Sequence, residues 1–560
     1  MSVLPEYPRP QLVRDSYVNL NGWWEYGVGD EEGYEGRILV PYSPESPMSG
    51  VERRLLPGET LWYRRELVVP EGAGGRVLLH FGAVDQCCRV LVNGVEVGAH
   101  TGGYLPFAFD VTDVLSGGVD TLVVAVRDDT DTGYGSRGKQ KLDRGGIWYT
   151  PQSGIWQTVW AERVPEPWVE RLTLTPHLAD GCVEVTVHAS AGRALVTVLA
   201  GETEVARAEA AAGEAVRLPI PGVRAWSPED PFLYDVTVRL GDDTVRGYVG
   251  MRSFGVGPDA DGVPRLLLNG RPYFHAGVLD QGYWPEGLYT PPSDAAMVHD
   301  ITTMKRLGFT MLRKHIKIEP LRWYHHCDRL GILVWQDMVN GGGPYRPVVV
   351  TAPVLTPLRL DDRRHRWFGR ADAAGRAEFE AELRATVELL RNVVSLAVWV
   401  PFNEGWGQFD AARIAGELRA LDPTRTIDHA SGWHDQGAGD LKSLHVYFRR
   451  FRPPSPDGRV LALTEYGGYS LRVVGHDQGE KEFGYKRFGT AGELTEAFVR
   501  LHEREIIPAV PLGLAATVYT QLSDVEDELN GLLTYDRQVL KLPAEAVRRI
   551  NAKLTGTAEA

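Results

Sequence analysis

The run F-T-M-L-R-K-H-I-K-I-E-P-L-R-W-Y-H-H-C-D-R-L-G-I-L-V-W-Q, residues 309–336, carries the alternation on which the fold turns. It reads as a strand at Phe309–Arg313, a helix from Pro320, and a second strand at Ile332–Gln336. Outward from it the same pattern repeats. On the N-terminal side, P-Y-F-H-A-G-V from Pro272 precedes a helix capped by Ser293. On the C-terminal side, a helix over Arg376–Arg391 leads into S-L-A-V-W-V from Ser395. T-I-D-H-A from Thr426, L-H-V-Y-F from Leu444, V-L-A-L-T from Val460 and L-A-A-T-V-Y from Leu514 complete eight strand positions. Repeated β-then-α units over about 300 residues predict a closed (β/α)8 TIM barrel, placed at 258–560. The alternative is an open doubly wound sheet, but no G-x-G-x-x-G follows a strand here.

Upstream the texture is different. Short alternating strands broken by Gly, Pro and Asp fill residues 1–164, among them R-V-L-L-H-F from Arg76 and T-L-V-V-A-V-R from Thr121. Asn93-Gly94 between apolar runs is a strong hairpin signal. This predicts a jelly-roll-like β-sandwich. A second strand-rich set over 165–257, including V-E-V-T-V-H-A from Val183, has the size of an immunoglobulin-like sandwich, typically ~100 residues.

Composition narrows the partners. At 560 residues the chain has room for three or four domains of roughly 150 residues. Hydrophobic residues at 43% and charged ones at 24% exclude a mainly disordered chain. Sixty Lys and Arg against 74 Asp and Glu give a net charge of −14, which repels phosphate backbones and anionic lipid. Nucleic acid and membrane are therefore disfavoured as partners, and no apolar run approaches the ~20 residues of a bilayer span. The start M-S-V-L-P-E-Y-P-R-P lacks the basic and apolar regions of a secretory signal, so a cytoplasmic protein is expected unless a leader has been removed. A homo-oligomer is compatible with this composition. Cys87, Cys88, Cys182 and Cys327 match neither a disulfide framework nor a C-x-x-C zinc pattern, and read as free thiols. Fifteen Trp suit stacking on sugar rings, but they also fill cores.

Barrel chemistry sits at the C-terminal ends of the strands. The fourth strand runs into W-V-P-F-Asn403-Glu404-G-W-G and the seventh into L-A-L-T-Glu465-Y-G-G. Two carboxylates on one barrel face are the minimum equipment for glycoside hydrolysis. One is held protonated to give a proton to the leaving oxygen, the other ionised to attack or stabilise the anomeric carbon. A Glu is more often a solvated loop acid. The apolar approach runs and the shared rim favour the catalytic reading.

With these residues in place the chain resembles glycoside hydrolase family 2, the group of β-galactosidases, β-glucuronidases and β-mannosidases. L-N-G-W-W-E-Y from Leu20, L-W-Y-R-R-E-L from Leu61 and T-G-G-Y-L-P-F-A-F-D-V-T from Thr101 resemble its sugar-binding sandwich. W-S-P-E-D-P-F-L-Y from Trp226 and G-M-R-S-F from Gly250 resemble its immunoglobulin-like domain, and L-L-N-G-R-P from Leu267 the approach to its barrel. R-N-V-V-S-L-A-V-W-V-P-F-N-E from Arg391 resembles its acid/base signature, with departures at Val393, Ala397 and Val400. The resemblance implies a retaining mechanism with Glu404 as acid/base, Glu465 as nucleophile and Asn403 on the sugar 2-hydroxyl. Arg313 and His315 resemble a rim turn of the family, although R-K-H has one residue fewer between Arg and His. Arg313 beside the nucleophile would keep it ionised; a core ion pair is the competing reading. Tyr447 suits the strand-six Tyr that bonds the nucleophile. Asp280, Trp433, with His429 near it, and His445 are further candidates for substrate contact, each weighed against an ordinary turn or core role.

The same resemblance frames the substrate. Strand eight ends Tyr519-Thr520-Gln521 where many relatives carry a Trp platform, and Gln521 is expected to offer hydrogen bonds there. Asn530-Gly531-Leu532 lacks the N-x-K lysine that pairs a uronate. A terminal neutral sugar is therefore expected, β-galactoside-type first, with a β-galactofuranoside or α-L-arabinofuranoside as the alternative. A non-catalytic carbohydrate-binding protein and a transglycosidase are the rival classes. No cofactor and no metal are expected: His325-His326-Cys327-Asp328 has a metal-like composition, but adjacent helix residues diverge. The polar segment G-S-R-G-K-Q-K-L-D-R, residues 135–144, reads as a solvated loop; the alternative is that it reaches over the barrel mouth.

Overall fold

The computed structural model describes residues 3–72, 74–356, 358–479 and 481–557. In the first sandwich a six-stranded sheet runs Gly36–Val40, Gly22–Val28, Leu61–Leu67, Asp120–Arg127, Cys87–Val92, Val95–Thr101. A four-stranded sheet, Tyr17–Asn19, Val159–Val164, Arg76–Phe81, Phe107–Asp110, closes it. Trp24, Ile38, Val90 and Val124 from one sheet meet Val77, Leu79, Phe81 and Ala161 from the other. Asn93 and Gly94 take φ of 51° and 79°, as a two-residue hairpin with primed turn geometry demands. The second sandwich pairs a three-stranded sheet with a four-stranded one, and strict alternation turns Val183, Val185 and Val187 toward Val196, Val198, Val236 and Val238.

The two sandwiches are clamped by charge. Arg14 donates to Asp243 at 2.8 and 3.0 Å and to Glu162 at 3.2 Å, and Arg9 also reaches Glu162, at 2.6 Å. All but Arg9 are almost fully buried. Removing one partner from such a cluster strands the others in low dielectric, at a cost of about 3–5 kcal/mol. Arg14→Met therefore lowers the calorimetric unfolding midpoint by several degrees, and adding Asp243→Asn recovers part of the loss. An unchanged midpoint contradicts this account of the clamp.

Eight parallel strands form the barrel: β1 His275–Asp280, β2 Met311–Lys314, β3 Leu333–Asp337, β4 Leu396–Val400, β5 Thr426–Ile427, β6 Leu441–Val446, β7 Val460–Gly467 and β8 Leu514–Thr520. The helices between and after them are α1 Asp294–Arg306, α2 Leu321–Leu330, α3 Ala373–Leu390, α4 Ala411–Leu421, α5 Ala491–Leu501 and α6 Ala544–Thr555, with two single-turn pieces before α3. Ser293 accepts from the Ala296 amide at the start of α1, as expected. Asp372 caps α3 at Gly375, so that helix begins three residues before Arg376.

The alternation is incomplete. No helix follows β5 or β6, where only short irregular segments return the chain. The strand ladder is likewise open between β5 and β6. β5 is two residues long, and the seam is stitched by side chains: Ser443 donates to Asp428 at 2.7 Å and to the Ala430 carbonyl at 3.2 Å. β6 starts at Leu441 rather than Leu444, leaving Tyr447 one residue beyond its end.

Below the barrel, Phe254–Pro258 pairs with Pro264–Leu268, so a sheet spans the expected 257/258 boundary. Its Leu266 plugs an interior built of Met311, Leu333, Trp335, Val398, Ala462, Ala516 and Val518. The metal-like His325–Asp328 stretch lies on α2. Asp328 is fully buried there, accepting from Tyr248 at 2.9 Å and the Ser395 amide at 2.7 Å. Among the described residues no helix is long and apolar enough to cross a membrane.

Candidate active site

β4 delivers its apolar run into the barrel wall, and the chain then breaks at Pro401. Glu404 adopts φ of 50°, a left-handed conformation that costs a non-glycine residue energy and directs attention to its role. Its amide donates to the Ser431 carbonyl at 3.0 Å, tying the turn after β4 to the turn after β5. Gly407 is required close by, because a Cβ there would lie 2.3 Å from the Gly341 carbonyl oxygen. Glu465 arrives differently. It is the sixth residue of β7, within the strand itself.

Arg313 at the end of β2 is the hub between them. Its guanidinium, with no solvent exposure, donates to Asp337 at 2.9 and 3.1 Å, Asn403 Oδ1 at 2.8 Å, the Thr464 carbonyl at 3.1 Å and Glu465 at 3.3 Å. Arg313 is thus a core ion pair with Asp337 and at the same time a neighbour of Glu465. Burial works against its charge, but Asp337 and Glu465 more than offset this and push its pKa upward. Asn403, its oxygen taken, has a buried Nδ2 with no protein partner, a donor free for a substrate oxygen. His315 Nδ1 lies 2.8 Å from Asp337. Burial pushes His315 down to about 3, so the ring is neutral at neutral pH.

The two carboxyls meet across His445. Its Nδ1 is 2.8 Å from Glu404 and 3.6 Å from Glu465, while Nε2 is 3.2 Å from Ser431 Oγ. One oxygen of each carboxyl and this nitrogen all lie within 4.8 Å of one another. Tyr447 donates to Glu465 and contacts Thr520 Oγ1 at 3.1 Å; its ring stacks on Tyr485 at 3.6 Å. Burial, only partly opposed by Lys139 and Arg313, pushes Glu404 up to about 7. Burial also raises Glu465, but His445, Arg313 and the Tyr447 hydroxyl pull it back. The environments differ in kind: Glu465 is bonded by a cation and a phenol, Glu404 by a ring that burial holds down to about 4. Glu404, His445 and Glu465 are also a set that could hold a cation, although a cation there would occupy both carboxyls.

Other candidates lie elsewhere on the rim. Asp280 is buried against Lys314 at 2.7 Å, in a cluster with Glu319 and Lys317. Trp433 packs edge-on to His445 at 6.2 Å, and His429 pairs with Asp435 at 3.1 Å. Gln521 is fully buried, accepting from Gln281 and donating to Asn530 at 2.7 and 2.8 Å. Its amide is thus already engaged within the wall.

The solvated reading of residues 135–144 is overturned. The Arg137 and Gly138 amides donate to the Asn340 carbonyl at 2.9 and 3.3 Å, and Ser136 bridges Gly341, so the sandwich loop is bound to the rim after β3. Ser136, Arg137, Lys139 and Gln140 are all buried. Lys139 sits 4.9 Å from the ring centre of Trp406, with Tyr149 and Trp148 at 5.6 and 5.9 Å. Tyr149, from the same domain, donates to Glu528 after β8. Sequence reasoning missed Lys139, Tyr149, Asp337, Trp406, Tyr485 and Glu528. Asp337 carried a usable signal, an acid closing an apolar barrel strand, and Lys139 lay in the loop whose alternative reading took it over the barrel mouth.

Comparison with known proteins follows this architecture. The models of "Glycosyl hydrolases family 2, sugar binding domain", "Glycosyl hydrolases family 2" and "Glycosyl hydrolases family 2, TIM barrel domain" match residues 50–160, 169–252 and 265–454. A β-galactosidase of Klebsiella pneumoniae is 28% identical over 398 residues, covering 66% of this chain and 35% of the relative. The chain spans about a third to just over half the length of the curated relatives it matches. Among solved structures, a β-D-glucuronidase of Dictyoglomus thermophilum superposes with TM-score 0.76 at 17% identity, covering 98% of both chains. A β-galacturonidase of Eisenbergiella tayi bound to galacturonate gives 0.72 at 21%, covering 97% of this chain and 99% of that one. At such identities the likeness is one of fold.

Proposed function

The chain belongs to glycoside hydrolase family 2, and from that premise we propose that it is a retaining, exo-acting glycoside hydrolase removing a terminal galactose-configured sugar. The observation that carries this is the approach of Glu404 and Glu465. An oxygen of each lies within 4.8 Å of the other, near the ~5–5.5 Å between carboxyl groups of retaining enzymes and short of the ~6.5–9.5 Å that admits a water in inverting ones. Glu465 attacks the anomeric carbon and is displaced later by water. Glu404 protonates the leaving oxygen, then takes a proton from that water. Arg313 and Tyr447 orient Glu465, and Asn403 Nδ2 donates to the 2-hydroxyl. The β-galactosidase relatives support the galactose configuration. The furanoside alternative rested on a free polar floor at Gln521, whose amide is bonded to Gln281 and Asn530 instead.

NMR of the product before mutarotation tests the mechanism. Release of the sugar with its β-configuration is expected, and release as the α-anomer refutes the retaining reading. The pH profile is a second check. With Glu404 pushed up to about 7, its proton is lost as pH rises through that value. Hydrolysis of an alkyl glycoside, whose leaving group needs the proton, therefore falls above about pH 7. Activity also falls in acid, where Glu465 becomes protonated. In Glu404→Ala the alkaline limb disappears from kcat/KM; its persistence assigns the acid elsewhere.

A further inference from the structure

We infer that Lys139, carried on the loop of the first sandwich, is a specificity-determining cation that pairs with an anionic group on the glycoside. This deepens the hydrolase reading above and rests on it. The observation is an ammonium with no ion pair and no hydrogen bond on a side chain that is almost wholly buried. Lys139 is 4% exposed, yet among the described residues no carboxylate lies within 4.0 Å of its ammonium and it makes no side-chain hydrogen bond. Buried charges are ordinarily paired, because water is lost without compensation otherwise.

Glu404 feels the Lys139 charge but makes no ion pair with it within 4.0 Å and is held by His445 at 2.8 Å, and the other nearby acids are committed to other partners. Glu528 accepts from Tyr149 and from Asn530 at 3.0 Å. Glu526 and Asp527 face Arg144 at 3.4 and 3.8 Å, and Asp337 is held by Arg313 and His315. The faces of Trp406, Trp148 and Tyr149 attract the ammonium, an interaction worth a fraction of an ion pair. Trp406 stands two residues beyond Glu404 and packs against His315 at 6.0 Å, so the ammonium over its ring stands beside the turn that carries Glu404.

Binding decides between a neutral and an anionic ligand. Any sugar seated over Glu404 and Glu465 removes the remaining water from Lys139. A hydroxyl then leaves its charge buried and unpaired, whereas a carboxylate pairs it. The cation absent from Asn530-Gly531-Leu532, on which the expectation of a neutral sugar rested, is in this way supplied by a different domain. The same chemistry is offered by a uronic acid ring or by a carboxylate on the aglycone.

The test compares p-nitrophenyl β-D-galactopyranosiduronic acid, p-carboxyphenyl β-D-galactopyranoside and p-nitrophenyl β-D-galactopyranoside on wild type, Lys139→Met and Lys139→Arg. Methionine keeps the shape and suits the aromatic surround, and the ratio of kcat/KM, anionic over neutral, cancels general damage. In wild type an anionic substrate is expected to be preferred, and the substrate showing it locates the anion on ring or aglycone. Lys139→Met lowers that ratio by about 100-fold, as loss of a buried charge partner does, and Lys139→Arg restores much of it. A wild type that prefers the neutral galactoside, or a ratio unmoved in Lys139→Met, overturns the proposal. If wild type hydrolyses none of the three, the hydrolase reading fails. Thermal shift with D-galacturonate against D-galactose then still decides the role of Lys139. Stabilisation by galacturonate, lost in Lys139→Met, supports it, and equal or absent effects refute it.

Discussion

Glu465→Ala, which removes the proposed nucleophile, is expected to lose about 10⁵-fold in kcat on every glycoside, whether the leaving group is an alcohol or a dinitrophenol. The reason is geometric. Arg313 and Tyr447 hold the carboxylate within β7, and neither can itself bond to the anomeric carbon. The space vacated by the carboxylate admits azide. Kinetic rescue by azide is expected to yield a glycosyl azide of inverted configuration, identified by NMR. An azide product of retained configuration, or a loss that shrinks with better leaving groups, would move the nucleophile to another residue.

Glu404→Ala, which removes the proposed acid/base, is expected to behave oppositely. On an alkyl galactoside the loss is about 10³–10⁴-fold, the range of a missing general acid. On a dinitrophenyl glycoside the first step survives, the glycosyl-enzyme accumulates, and azide releases it with retained configuration. Glu404→Gln adds a stability readout. The folded value of about 7 lies above the ordinary carboxyl value of 4.5. The native state therefore holds its proton more tightly than the unfolded chain. The stability this gives is fully present below 4.5 and is lost as pH rises through about 7. Glu404→Gln, which never ionises, should unfold at higher temperature than wild type at pH 8 and at nearly the same temperature at pH 4. Equal midpoints at both pH values would show that burial does not strain this group.

How far the sequence carried the reading depended on where the partners of a residue lie. Strands such as Leu396–Val400 were legible because being buried on both faces makes them continuous apolar runs. Glu404 and Glu465 were legible for a related reason, as acids ending such runs. Asp337 ends one too and was passed over. β5 and β6 kept their strands, but the connections after them, Asp428–Asp440 and Tyr447–Arg459, form no helix. The regular alternation expected of the barrel stops there. Lys139 was reached only through the alternative reading of its loop. G-S-R-G-K-Q has the composition of a solvated turn, and what buries it is contact with Asn340, Gly341 and Trp406, some two hundred residues onward. Glu528 was hidden in the same way inside the acidic run Glu526-Asp527-Glu528, each acid of which finds a partner only once the domains dock.

The loop of residues 135–149 also separates two inheritances. The groups proposed to break the bond stand on barrel strands and the turns beyond them, where a shift of one ångström would disable them. The cation proposed to choose the substrate arrives on a loop of another domain, anchored to the barrel by main-chain bonds to residues 340 and 341 and by the side chains of Ser136, Arg137, Arg144 and Tyr149. None of the groups proposed to break the bond stands on this loop, so its positions outside those four anchoring side chains can change while the bond-breaking groups keep their places. New diets become reachable through changes in a segment that carries no chemistry of its own. A library confined to residues 135–149 is thus the shortest route to altered selectivity in this scaffold.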